Sequence, residues 1–157
     1  MIKINLVCVG KVKEKYFAEG IEEYAKRLGK FCTFKITEID EENYKKTNSS
    51  IADTIKEKEG ENILRALSGY VIACAINGRK YSSEALASKI ENLAMSGVSE
   101  IAFVIGGSYG LSERVIKRAD EKISFSDMTF PHTLFRLMFC EQLYRAFTIN
   151  ANLPYHK

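Results

Sequence analysis

The sequence predicts an α/β protein in which a parallel β-sheet carries helices on both faces. Short apolar runs alternate with stretches of helical periodicity along all 157 residues, which is the pattern of repeated strand–helix units. Residues 70–76 and 101–105 are almost continuously apolar, as expected of strands that are covered on both faces. No internal repeat or linker interrupts the pattern, so we expect residues 1–157 to form a single domain.

Each element follows from its spacing of apolar residues. Period-two or continuous apolar runs predict five strands, over residues 2–9, 31–39, 70–76, 101–105 and 123–126. Apolar residues three or four apart predict five helices, over residues 17–28, 51–67, 83–94, 112–119 and 133–150. Ser82 or Ser83 suits the N-cap of the third helix, and Gly60 weakens the second.

Three connecting segments are expected to share the ligand-binding edge of this sheet. Residues 76–78, 106–110 and 126–131 each follow a predicted strand, and open α/β sheets bind ligands at the carboxyl ends of their strands. Residues 106–110, which we call the glycine loop, read GGSYG. This spacing is neither a dinucleotide-binding GxGxxG nor a phosphate-binding loop with Gly-Lys-Ser/Thr. Residues 125–130, the cofactor segment, place polar groups between apolar anchors and suit an adenine read by backbone groups.

The last predicted helix is apolar around its whole circumference. A surface helix normally has one apolar face and one polar face, whereas apolar side chains surround this one. They are Leu134, Phe135, Leu137, Met138, Phe139, Leu143, Tyr144, Ala146, Phe147 and Ile149. We therefore expect one side to pack on the sheet and the other on a partner subunit, which predicts a two-fold homodimer.

Composition narrows the class of protein. The net charge of +3 is compatible with an RNA partner but does not require one. Four dispersed cysteines and two histidines make no metal-binding pattern, so we expect no metal, and free thiols in a reducing compartment. The N-terminus lacks the features of a signal peptide and no apolar run is long enough to span a bilayer. We therefore expect a cytoplasmic protein without a membrane partner.

Three blocks of sequence resemble a known family. Residues 103–111 read FVIGGSYGL, similar to the family's strand followed by GGxxGL. Residues 130–146 read FPHTLFRLMFCEQLYRA, similar to its LPHxLxRxxxxEQLYRA block, and residues 152–156 read NLPYH, matching its NxPYH ending. Over essentially its whole length the chain resembles the RlmH family of ribosomal large-subunit pseudouridine N3-methyltransferases, which belongs to the SPOUT superfamily.

The resemblance implies a fold, a cofactor and a substrate. It implies a C-terminal trefoil knot in the α/β fold, S-adenosylmethionine bound largely by backbone groups, and a pseudouridine in a hairpin loop of 23S rRNA as methyl acceptor. In the implied homodimer, the tail of one subunit closes the site of the other. The implied cofactor-binding residues are Cys74, Gly106, Phe125, Ser126, Asp127, Met128, Thr129 and Phe130. Family members often have leucine where this chain has Cys74.

The candidate catalytic residues are Arg145, Tyr155 and His156. His156 is our candidate for the base that removes the N3 proton, Tyr155 for stacking or hydrogen bonding to the base, and Arg145 for positioning a phosphate or base. Read without the resemblance, Arg145 can equally form an i, i+4 ion pair with Glu141, and His156 can be a solvated terminal residue. We interpret His132 as structural. The alternative functions are a non-catalytic dimeric ribosome-assembly factor and an oxidoreductase of the Rossmann type.

Overall fold

The computed structural model describes residues 1–46 and 48–157. Within these residues, strands and helices alternate as predicted. The strands are β1 (Lys3–Val9), β2 (Thr33–Ile39), β3 (Tyr70–Lys80), β4 (Glu100–Ile105) and β5 (Glu121–Ser124). The helices are α1 (Lys15–Leu28), α2 (Ser49–Ala66), α3 (Ser83–Met95), α4 (Glu113–Arg118) and α5 (His132–Asn150).

One sheet holds these strands in the order β2-β1-β4-β3-β5. Every neighbouring pair is parallel, so the predicted parallel α/β sheet is confirmed. The strand order places β4 between β1 and β3, and the carboxyl ends of β3, β4 and β5 therefore lie side by side. None of the described helices is long and apolar enough to cross a membrane.

Helices cover both faces of the sheet, as predicted. Alternate residues of a strand point to opposite faces: Leu6 and Cys8 of β1 join one buried cluster, and Val7 and Val9 join another. The first cluster includes residues of α1, α3 and α5, and the second includes residues of α2 and α4. Burial on both faces is why β1 and β4 are apolar almost throughout.

The third strand is longer than predicted and changes its course. Cys74 pairs with Ile123, and after a shift in register Arg79 also pairs with Ile123. The segment between them therefore leaves the sheet, and the strand then returns across β5. Gly78 lies at this crossing, where a Cβ atom would be 2.7 Å from the backbone nitrogen of Ile123. Residues 76–78 were predicted to follow this strand, but they belong to it. The sequence did not show this because the strand's last residues pair with β5, more than 40 residues away along the chain.

The last helix is covered more completely by its own chain than the sequence suggested. It lies between α1 and α3, where Leu137 meets Gly20 of α1 and Asn150 donates to the carbonyl of Ala87 in α3 at 2.9 Å. None of its described residues is exposed in the single chain. The apolar circumference of α5 therefore does not by itself demand a partner subunit, and the homodimer stays a prediction.

Candidate functional site

A cavity of about 940 Å³ opens at the carboxyl ends of β3, β4 and β5. This is the size of a site for a drug-sized ligand or cofactor. The cavity is lined by residues 74–77 of β3, by the glycine loop after β4, and by most of the cofactor segment after β5. The first residues of α5 close one side of it. The three segments that the sequence placed on one edge thus surround one cavity.

The glycine loop forms a tight turn at the edge of the cavity. The backbone N–H of Gly110 donates to the carbonyl of Gly107 at 3.0 Å. Gly110 has a φ of 84°, a backbone conformation that favours glycine. Ser112 then caps α4 by accepting from the N–H of Val115 at 3.4 Å. The loop therefore presents main-chain groups to the cavity in a fixed turn.

The cofactor segment is a second turn, stabilised by its own serine side chain. Ser126 Oγ accepts from the N–H of Met128 at 3.0 Å, and the Ser126 carbonyl accepts from Ser124 Oγ at 3.0 Å. Ser126, Met128 and Thr129 line the cavity together with Phe125 and Phe130. Asp127 does not line it. Its carboxylate points outward and pairs with Lys80.

The inner wall of the cavity is apolar. The ring of Phe125 packs on Phe135 with centroids 4.7 Å apart and on Phe139 at 6.3 Å. Cys74 also lines the cavity, at the end of the part of β3 that pairs with β4, and burial raises the pKa of its thiol to about 12. Cys74 is therefore a neutral apolar contact at physiological pH rather than a nucleophile. Of the predicted cofactor-binding residues, all except Asp127 line this cavity.

Arg136 is a buried cation that the sequence analysis did not single out. Its guanidinium is almost wholly buried, donates to Glu38 Oε2 at 2.7 Å and donates to the carbonyl of Gly10 at 3.0 Å. These bonds tie the beginning of α5 to the carboxyl ends of β1 and β2. His132, one turn earlier, lines the cavity and lies against Gly10. The sequence does show a charged residue in an apolar helix at this position. It does not show the partners of Arg136, because they lie about 100 residues or more away along the chain.

The three candidate catalytic residues come together at the other end of α5, where they form the tail cluster with Glu141. Arg145 donates through Nε to Glu141 Oε1 at 3.1 Å, so the predicted i, i+4 ion pair forms. The same carboxylate oxygen accepts from the Tyr155 hydroxyl at 3.1 Å, and the Arg145 guanidinium lies 4.8 Å from the centre of the Tyr155 ring. His156 is held by Arg145 and by Glu84 of α3.

Hydrogen bonds fix the protonation pattern of the tail cluster. Arginine only donates, so His156 Nδ1 accepts from Arg145 at 3.2 Å and Nε2 carries the proton that faces Glu84 Oε1 at 2.8 Å. The pKa of Tyr155 is raised, first by burial and then by its bonds to Tyr24 and Glu141. Tyr155 therefore stays a neutral donor. Tyr24 and Glu84 were not predicted from the sequence, because only the folded chain brings α1 and α3 to the tail.

The tail cluster and the cavity do not meet within one chain. Phe135 lines the cavity, whereas Arg145, Tyr155 and His156 do not. Ten residues of α-helix separate Phe135 from Arg145, which is about 15 Å along the axis. Among the described residues, no group of three or more His, Cys, Asp or Glu side chains is placed to hold a metal ion.

Comparison with known proteins identifies the family. A family model described as "Predicted SPOUT methyltransferase" matches residues 2–156. The "Ribosomal RNA large subunit methyltransferase H" of Ligilactobacillus salivarius is 52% identical over 159 aligned positions, which cover 99% of this chain and 100% of that protein.

Two solved structures share the fold at low sequence identity. A probable methylase family protein from Haemophilus influenzae superposes with a TM-score of 0.54 at 15% identity, covering 99% of this chain and 70% of that one. The putative methyltransferase Lpg2936 from Legionella pneumophila, in complex with its cofactor SAM, gives 0.50 at 11% identity and covers 95% and 66%. The match along almost the whole sequence, together with the parallel sheet and its edge cavity, shows that this chain belongs to the SPOUT methyltransferase family.

Proposed function

We propose that this protein transfers a methyl group from S-adenosylmethionine to N3 of a pseudouridine in a hairpin loop of 23S rRNA, in the large subunit or the assembled ribosome. The name of the full-length relative at 52% identity supports an rRNA substrate. The resemblance of the tail to the NxPYH ending supports the acceptor atom. The observation that carries the proposal is the single cavity formed by three separated, sequence-predicted segments.

The residues that line the cavity fit S-adenosylmethionine. Main-chain groups of the glycine loop and the cofactor segment suit the hydrogen-bonding edge of an adenine and the hydroxyls of a ribose. The apolar wall of Phe125, Phe135 and Cys74 suits the adenine ring. When bound, the cofactor supplies a methyl group on a sulfonium. The chain's own contribution is to hold donor and acceptor in line and to exclude water.

The proposed fold includes the C-terminal trefoil knot. Two observations support it: the end of β3 returns across β5 after the register shift, and Gly78 leaves room for that crossing. The two segments that cross are the ones that continue into the cavity walls. A knot at this crossing would hold the cavity walls in place. It would do so through the path of the main chain and would not need large apolar side chains there.

The proposed enzyme is a homodimer that acts in the cytoplasm. The separation of cavity and tail cluster within one chain supports this, because N3 must approach the methyl group and the proton acceptor at once. A two-fold partner that places its tail over the cavity would bring the methyl group of one chain and the proton acceptor of the other to the same base. Four exposed residues of the tail, Asn152, Leu153, Pro154 and Lys157, are free to make such a contact in the single chain.

Each tail residue has a proposed role. Arg145 positions a phosphate or the base, Tyr155 stacks on or donates to the base, and His156 accepts the N3 proton. Because Arg145 occupies the lone pair of His156 Nδ1 in the single chain, the proposal requires Arg145 to turn away. An RNA phosphate that draws off the guanidinium would free Nδ1 for this task.

Methyl transfer to ribosomes tests the proposal. Purified protein is incubated with labelled S-adenosylmethionine and with ribosomes that lack the modification, and mass spectrometry of nuclease fragments then locates the label. We expect one new methyl group on one pseudouridine of 23S rRNA. A protein that binds these ribosomes without transferring label would instead be the non-catalytic assembly factor. Label on another RNA would contradict the proposed substrate.

A further inference from the structure

A buried carboxylate lies behind the glycine loop, on the side away from the cavity. Glu59 belongs to the buried face of α2, where its neighbours on the helix are Ile55, Gly60 and Ile63. Its side chain is only 3% exposed. Burying a carboxylate among aliphatic side chains costs free energy unless its oxygens are hydrogen-bonded, so its position requires an explanation that packing does not supply.

One of the two carboxylate oxygens has a partner and the other does not. Glu59 Oε2 accepts from the N–H of Glu42 at 3.2 Å. Glu59 Oε1 is buried without a hydrogen-bond partner, and it faces the glycine loop at a distance of 3.2 Å from where a Cβ of Gly107 would lie. The pKa of this carboxyl is raised, chiefly by burial and less by the nearby carboxylates of Glu41 and Glu42, against the lowering effect of the Glu42 N–H bond.

The next residue of α2 touches the other end of the same loop. A Cβ at Gly60 would collide with Ser112 Oγ, the N-cap of α4. Residues 59 and 60 of α2 therefore touch both Gly107 and Ser112, the two ends of the turn that forms the cavity edge. Since Gly107 is also in contact with Val9 of β1, the loop is backed by protein on one side and faces the cavity on the other.

We propose that Glu59 is a positioning residue for the methyl-donor site. When S-adenosylmethionine binds, Glu59 Oε1 accepts a backbone N–H of the glycine loop, which fixes the loop around the ligand. The inference rests on the proposed function, since it takes the cavity to be the S-adenosylmethionine site. It adds a residue of α2 that lines no part of the cavity.

Glu59→Gln tests this with little change of shape. Glutamine offers a single oxygen to two donors, the Glu42 N–H and the loop N–H, so one of them loses its partner. We expect the Kd for S-adenosylmethionine, measured by calorimetry, to rise about tenfold, the effect of one buried hydrogen bond. The KM for ribosomes should not change. In the protein saturated with S-adenosylmethionine, the amides of residues 107–111 should exchange with deuterium faster in the variant than in the wild type.

Two further variants separate positioning from folding. Glu57→Gln, on the exposed side of the same helix, removes the same charge and should leave Kd and exchange rates unchanged. Glu59→Met removes the buried charge altogether, so it should fold at least as stably while still binding the ligand more weakly. Wild-type Kd values in both Glu59 variants would overturn this inference and leave the proposed function intact. Failure of the wild-type protein to bind S-adenosylmethionine would overturn the proposed site and the inference with it.

Discussion

The two ends of α5 serve the proposed reaction in different ways. At its beginning, His132 and Phe135 complete a cavity whose other walls are turns and strand ends. At its end, Arg145 and Glu141 hold Tyr155 and His156 through a network of side-chain hydrogen bonds. Main-chain turns and an apolar wall form the cavity within one chain. The tail cluster is formed by side chains, and Arg145, Tyr155 and His156 do not line that cavity.

This difference indicates which parts of the site would depend on the proposed dimer. The turns that form the cavity are made within one chain, so the cavity does not need a partner. The tail cluster can act only where another surface carries the methyl donor. We therefore expect the largest effects from substitutions that test whether the cavity of one chain and the tail of another form one active site.

Mixed dimers test this directly. Thr129→Trp fills the cavity from an exposed position, and His156→Ala removes the proposed base. Each variant alone should lose at least about a hundredfold in methyl transfer. If the two are unfolded and refolded together, random pairing makes half of the dimers mixed, and each mixed dimer has one intact site out of two. About a quarter of wild-type activity should return.

The same mixture gives the contrary result if each chain acts alone. No subunit then carries both an open cavity and an intact tail, and activity stays at the level of the separate variants. Light scattering on the wild-type protein provides the control for assembly. A mass equal to one chain would rule out the shared site.

More of the cavity than of the tail cluster could be predicted from the sequence. The edge of the sheet was predictable because residues 106–110 follow an apolar strand and residues 125–130 carry their own turn signals. The last strand was predicted over residues 123–126 but spans Glu121–Ser124. The Glu141–Arg145 pair was predictable from its spacing. The contacts of Tyr155 with Tyr24 and of His156 with Glu84 were not, because they join residues 72 or more positions apart.

Buried charges were the weakest part of the prediction from sequence. Arg136 stood out only as a charged residue in an apolar helix, and Glu59 lies in a helix of ordinary charged composition. Nothing in the spacing of either residue shows that it is buried. Their burial depends on which strands and loops the helices are packed against. The extension of β3 to Lys80 depends in the same way on a distant partner, Ile123.

Arg136→Met tests what holds the beginning of α5. The substitution leaves Glu38 and the carbonyl of Gly10 without their buried donor, so the free energy of unfolding should fall by about 3 kcal/mol. Denaturant titration measures this. Arg27→Met, which breaks an exposed i, i+4 pair with Glu23, is the matched control and should change stability little. Equal stability of Arg136→Met and wild type would show that this end of α5 is held by apolar packing alone.

Tyr155→Phe distinguishes the contribution of the Tyr155 hydroxyl from that of its ring. The phenyl ring can still stack on a base and lie against Arg145, but the bonds to Glu141 and Tyr24 are lost. We expect kcat to fall about tenfold, the effect of one or two hydrogen bonds, while the Kd for S-adenosylmethionine does not change. Single-turnover transfer and calorimetry measure the two quantities. A changed Kd would mean that the Tyr155 hydroxyl contributes to the methyl-donor site as well as to the transfer step.

Cys74→Leu has the smallest expected effect and tests a contact at which this chain differs from the residue common in the family it resembles. Leucine is the residue that the family resemblance leads us to expect here, and a main-chain contact to the cofactor does not depend on the side chain. The Kd for S-adenosylmethionine should therefore stay within about threefold of the wild-type value, the effect of one apolar contact.

The thiol itself gives an independent measurement on the wild-type protein. With a pKa raised to about 12 by burial, Cys74 is protonated at pH 8, and its thiolate fraction rises only as the pH approaches that value. Alkylation at pH 8 should be at least about tenfold slower than that of free cysteine, even allowing for the greater nucleophilicity of a high-pKa thiolate. Rapid labelling of Cys74 would show that this wall of the cavity is wet and polar. That result would contradict the proposed binding mode, in which main-chain groups hold the cofactor against apolar side chains.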